Sequence, residues 1–226
     1  STHFFDHLRL LEHFAFGSLK TLAKKITLDY SMLNYLDNTQ NNANNPNENY
    51  AREFLELFTI LKGPQNGSGN YTNYTEHDIQ QTAKVFSGIK TKSDRSILDP
   101  DTSLPMGRIS SNQHDQNDKT FSDAFDAYTV TGKNTEQGIL EELDEYVEMV
   151  FSKPATAISY CRKLYRFFVK SEWNEAIENS VIIPLAIQLE NDNYEILPTL
   201  KTLLTSIHFY DVEDANTSDD TIGSIV

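Results

Sequence analysis

The run Asn45-Pro46-Asn47-Glu48-Asn49-Tyr50-Ala51-Arg52-Glu53-Phe54-Leu55-Glu56-Leu57-Phe58-Thr59 is the most strongly patterned stretch of the chain, and any fold must accommodate it. Wound at about 100° per residue, Glu48, Asn49, Arg52, Glu53 and Glu56 fall within one arc of roughly 140°. Tyr50, Ala51, Phe54, Leu55, Leu57, Phe58 and Leu61 fill an opposite arc of roughly 160°. Asn45 or Asn47 suits the N-cap, accepting from the first free N–H groups. Gly63-Pro64 closes the run, because glycine permits a left-handed cap and proline cannot continue a helix. The pattern predicts an amphipathic helix with an ionic face, on which Glu48–Arg52 and Arg52–Glu56 are spaced i,i+4 for ion pairing.

Helical periodicity recurs on both sides of this segment. Phe4, Leu8, Leu11 and Ala15 form one stripe that ends at Gly17, and Leu19, Leu22, Ala23 and Ile26 form a second. Asp29 or Ser31 opens a short third helix through Leu36, and an Asn-rich loop leads from there to the central helix. A Gly- and Asn-rich loop spans residues 63–73, where three Asn-X-Ser/Thr matches are no more than such a composition produces by chance. Thr75 with Asp78 three residues on marks the next helix start. Residues 91–133 lack helical period and carry Gly, Pro, Ser and Asp throughout, with strand-like pieces at Ile97-Leu98, Arg108-Ile109 and Tyr128-Thr129-Val130. Helices then resume from Thr135, from Pro154, from Glu172 with an interruption at Pro184, and from Tyr194. The expectation is a mainly α fold: a single multi-helical domain of about eight helices over residues 1–212, with one long irregular excursion, one small β-hairpin and an acidic tail over 213–226.

Composition narrows the functional classes. The 226 residues hold 33 acidic against 19 basic side chains, a formal charge of −14. A nucleic-acid partner calls for a gathered cationic face, which no predicted helix supplies. No run approaches the roughly 20 apolar residues of a membrane span. No basic-then-apolar leader opens the chain, and Ser1-Thr2-His3-Phe4-Phe5 reads as the interior of a longer protein. The single Cys161 excludes an internal disulfide or a cysteine zinc site and reads as a small apolar filler.

Several ordered motifs carry a family resemblance. Asn47-Glu48-Asn49-Tyr50-Ala51-Arg52-Glu53 followed by Glu56-Leu57-Phe58-Thr59 resembles the signature of DUF1800, a bacterial family of unknown function. Ser31 to Asp37, Tyr74-Thr75-Glu76-His77-Asp78-Ile79, Lys84-Val85-Phe86-Ser87-Gly88, His114-Asp115 with Lys119, Lys153-Pro154-Ala155-Thr156-Ala157 and Ser206-Ile207-His208-Phe209-Tyr210 resemble further family segments, in the family's order. Ile89 stands where the family carries a tryptophan, and the loop over 63–73 is longer than in many members. The resemblance implies an exported bacterial protein acting outside the cytoplasm, in the periplasm or at the cell surface. It also implies a chain here lacking the family's N-terminal portion and export signal, and a sulfatase-like protein, often encoded nearby, as partner.

The residues leave two readings of the motif open. In one, Asn47, Glu48, Asn49, Arg52, Glu53, Glu56 and Lys119 are architectural, and the chain acts through a protein partner with no cofactor. In the other it is a hydrolase of surface polymers or modified glycans, in which Glu53 or Glu56 works with His114-Asp115. A divalent cation could assist there, taking oxygen ligands from Glu48, Glu53 and Asp115. Against the second reading, adjacent residues such as His114 and Asp115 rarely point the same way, and Asp115 suits a turn that it caps itself. A pocket joining these side chains would favour the hydrolase, and a closed, buried ion-pair network the architectural reading.

Overall fold

The computed structural model describes residues 2–92 and 94–210; the acidic tail predicted over 213–226 lies outside them. The fold is mainly α. Helices α1 (Thr2–His13), α2 (Leu19–Thr27) and α3 (Tyr30–Tyr35) lead to α4 (Asn49–Glu53), which winds on as a π-helical turn over Phe54–Phe58. Then come α5 (Glu76–Val85), α6 (Glu136–Phe151), α7 (Pro154–Phe168), α8 (Glu175–Ile177), α9 (Ile183–Asn191) and α10 (Ile196–Leu204). A second π-helical turn over Glu178–Ile182 joins α8 to α9, so the interruption expected at Pro184 falls just before it, with the proline in the first turn of α9.

Among the described residues, three antiparallel two-stranded ladders stand where one small hairpin was expected. β1 (Gln65–Gly67) pairs with β2 (Asn70–Tyr71), inside the segment read as a loop. β3 (Ile89–Lys90) pairs with β4 (Arg108–Ile109), and β5 (Lys119–Thr120) with β6 (Thr129–Val130). Leu98 makes only an isolated bridge to Pro105. Ile89 is buried in β3 opposite Ile109.

The 1–212 domain read from the sequence holds two compact units. In residues 1–15 with 20–153, the core is aromatic: Tyr50 and Phe54 of α4, Phe86 at the end of α5, Tyr146 of α6 and Phe121 from the excursion lie 5.3–5.6 Å apart, centroid to neighbouring centroid. The irregular excursion is therefore part of the core, with Phe121, Phe125 and Val130 buried. In residues 16–19 with 154–210, α7 packs on α9 and α10, and Cys161, Tyr165, Ile182, Leu189 and Leu203 are buried. The extended residues 17–19 join the same unit by Leu19 N–H to Tyr194 O at 2.9 Å and Ile196 N–H to Gly17 O at 3.0 Å.

Two faces differ from the sequence expectation. On α4 the buried positions are Tyr50, Ala51, Phe54 and Leu55, while Leu57 is 56% exposed, because the wider π turn shifts every later residue around the axis. The helix ends at Phe58 and the chain turns left-handed at Leu61 (φ 61°), before Gly63 is reached. On α1 the predicted stripe is outside: Asp6 and Leu10 are the buried residues, and Phe4, Leu8 and Leu11 are exposed.

Candidate functional site

The Asn-rich loop before α4 is a bracket for the end of α5. Asn38 donates to Phe86 O and Ile89 O at 3.0 and 3.2 Å, and Asn41 donates to Ala83 O at 2.8 Å. The Lys90 ammonium donates to Thr39 O and Asn41 O at 2.8 and 2.7 Å. Burial, with Arg108 nearby, holds that amine below its ordinary range. Asn41 Oδ1 accepts from Asn47 N, and Asn47 Oδ1 from Asn49 N, both at 3.0 Å. Asn49 in turn donates to Leu36 O at 3.2 Å. The loop's polar groups are thus spent on backbone, which satisfies a buried turn that has no ladder of its own.

Arg52 is the hub of the ionic face. Its i,i+4 partners are present, with Glu48 at 3.5 Å and Glu56 at 3.7 Å, but the short contacts are to Glu76 of α5 at 2.5 and 3.2 Å. Glu56 also takes Lys62 at 3.0 Å. Arg52 holds the Glu76 carboxyl below its usual range, whereas burial and then the Glu76 charge push Glu48 up. Glu53 is half-buried, and its carboxylate makes no hydrogen bond or ion pair among the described residues.

A second network is closed to solvent. Lys119 Nζ on β5 lies 2.6 Å from Glu142 Oε1 on α6, and His114 Nε2 faces Glu142 Oε2 at 3.1 Å; all three side chains are 0% exposed. Lys119 also donates to Asp115 O, and Lys133 N donates to Glu142 at 2.9 Å. His114 Nδ1 donates to Ser87 O at 2.7 Å. The Ser87 hydroxyl lies 3.4 Å from that same nitrogen, a Ser-His-Glu sequence on paper. It cannot act as a nucleophile as placed: the hydroxyl donates to Lys84 O at 2.6 Å and accepts Asp115 N–H at 2.8 Å, while Nδ1 keeps its proton for the carbonyl.

His114 and Asp115 do point apart. The imidazole is interior, and the Asp115 carboxylate accepts from Asn117 N at 2.9 Å, the self-capped turn. No hydrogen bond or ion pair joins Glu53 or Glu56 to His114 or Asp115 among the described residues. Nor do any three His, Cys, Asp or Glu side chains among them form a group able to hold a metal ion, so Glu48, Glu53 and Asp115 are not brought together. His77 binds Thr120 O at 2.9 Å. Asp78 completes the capping box with Thr75 and accepts from Ser122 N and Oγ at 2.7 and 2.6 Å, tying the excursion to α5.

Sequence reasoning did not name Glu76, Glu142, Ser87 or Lys62 as site residues, although Glu76 and Ser87 lie in segments that carry the family resemblance. Glu142 did leave a signal, since it falls between Ile139, Leu143 and Tyr146 on the apolar side of its helix, where an unpartnered carboxylate would be costly. Glu76 left none beyond that resemblance, because an acid in a first helical turn is explained by the helix dipole.

Geometry and fold together define a helical protein whose signature charges cross-link α4, α5, α6 and an ordered excursion. The chain belongs to the family described as "protein of unknown function (DUF1800)", which matches residues 4–221. No curated protein and no solved structure matches it.

Proposed function

We propose that this chain is a non-enzymatic interaction protein of the bacterial envelope, working outside the cytoplasm through a protein partner of the sulfatase-like kind. Its motif residues serve as architecture, except Glu53, whose carboxylate bonds to no side chain among the described residues. One observation carries this reading: Lys119 and His114 both bond to Glu142 at zero exposure, so none of the three can touch a substrate as placed. The family resemblance supports the location and the partner. No helix among the described residues is long and apolar enough to cross a membrane.

Glu53→Ala tests the reading. The variant is expected to capture an immobilised sulfatase-like partner as the parent does, with an unchanged melting midpoint. A variant that melts like the parent but loses turnover of a surface glycan would overturn it. A second arm melts the protein in EDTA and then with Ca²⁺, Mg²⁺, Mn²⁺ or Zn²⁺. A cation at about 100 times its Kd adds roughly 2.7 kcal/mol, so an architectural motif leaves the midpoint in place and a metal site raises it.

A further inference from the structure

An amphipathic helix normally docks by its apolar stripe, and α1 does the reverse. Phe4, Phe5 and Leu8 are 57, 60 and 46% exposed, while its inward residues are Asp6 and a single leucine, Leu10. Polar ties hold it. Arg95 Nη2 donates to Asp6 Oδ1 at 2.7 Å, and His7 Nδ1 lies 3.1 Å from Asp29 Oδ2, the carboxylate that also caps α3 through Met32 N at 2.9 Å. The His3 ring stacks on Tyr30 at 3.5 Å.

Two features make this attachment weak for its size. Arg95 reaches Asp6 from a left-handed backbone (φ 55°), a conformation that costs a non-glycine residue of order 1 kcal/mol. The pair is also incompletely satisfied: Arg95 Nη2 reaches both carboxylate oxygens of Asp6 at 2.7 Å, but Arg95 Nε is buried and takes part in no hydrogen bond. Buried groups left without a partner subtract from what the ion pair contributes. Beneath the helix lies a small cavity in which the carboxylates of Asp6, Asp29 and Asp99 and the Lys25 ammonium share the lining with Leu10, Leu28, Leu104 and Met106.

We infer that α1 is a latch, a helix that opens and closes on its unit as one piece while the rest of that unit stays folded, with Asp6–Arg95 and His7–Asp29 as the catch. Opening admits water to Asp6, to Asp29 and to the buried Lys25–Asp99 pair (2.5 Å) behind them. The outward aromatic side chains of α1 contribute little to closure, which separates this arrangement from an ordinary docked helix.

Native-state hydrogen exchange on the full chain tests this. In Asp6→Asn and in Arg95→Gln, amides of residues 2–13 are expected to exchange about tenfold faster or more, with those of α5 and α6 unchanged. Phe4→Ser and Phe5→Ser, which strip the exposed face, are expected to leave residues 2–13 as protected as in the parent. Unchanged exchange over residues 2–13 in both catch variants would overturn the latch. So would acceleration shared with α5 and α6, since α1 would then open only with the whole unit, or loss of protection in the Phe variants. Arg95 is a third exposed, so Arg95→Gln serves if Asp6→Asn does not fold.

Discussion

Lys119 shows what a buried charge does at the scale of one residue. Removing it takes the ammonium partner from the Glu142 carboxylate at zero exposure, and breaking such a pair costs about 3–5 kcal/mol. Lys119→Met is therefore expected to lose that much in urea unfolding, and a loss under about 1 kcal/mol would mean the pair contributes little. The Arg52 cluster behaves differently because Arg52, Glu48 and Glu76 are each about a third exposed. Glu76, held low by Arg52, supports the fold above its unfolded pKa, and that support fades as pH falls through the lowered value. Glu48, held high, contributes below its unfolded pKa and loses that contribution as pH rises through the raised one. Glu48→Gln should thus gain on the parent as pH climbs from about 4 to about 7, read as the difference in melting midpoint. Cys161 is the inert extreme: burial pushes its thiol up to about 12, so a disulfide reagent at about pH 8 should leave it unmodified until the protein unfolds.

Among the elements, the start of α5 carries the most connections. Thr75→Ala removes one cap and is expected to cost about 1 kcal/mol. Asp78→Ala removes the same cap and also strips Ser122 of its acceptor, so it should cost a further 1–3 kcal/mol or so, measured by denaturant titration of both variants. The other end of α5 depends on Gly88. Its φ is +75°, and an added Cβ would stand 2.7 Å from Ser110 O and 2.9 Å from His114 N. Both atoms are backbone, so Gly88→Ala is expected to shift the His114 segment and to destabilise by more than about 1 kcal/mol. Capping signals such as Thr75, Thr135 and Asp29 were legible in the sequence because they act over three residues. The π turn after Phe54 was not, since its wider winding has no propensity signature strong enough to oppose an apolar stripe.

At the scale of the whole molecule the formal charge of −14 is the dominant long-range term. Raising salt from about 10 to about 150 mM shortens the screening length from roughly 30 to 8 Å, which relieves self-repulsion more than it weakens buried pairs. The melting midpoint should rise over that range; a fall would mean that exposed pairs such as Arg52–Glu76 outweigh the net charge. The order of the helices, the excursion between them and the family were all present in the chain's own pattern, because period, caps and contiguous motifs are local properties. What only the tertiary structure decided were partners distant in sequence: Arg52 with Glu76, Lys119 and His114 with Glu142, Asp6 with Arg95. Burial is a property of what covers a side chain. The same apolar stripe that goes inward on α6 faces outward on α1, and the excursion read as irregular supplies core aromatics, because neighbours far along the chain set where water is excluded.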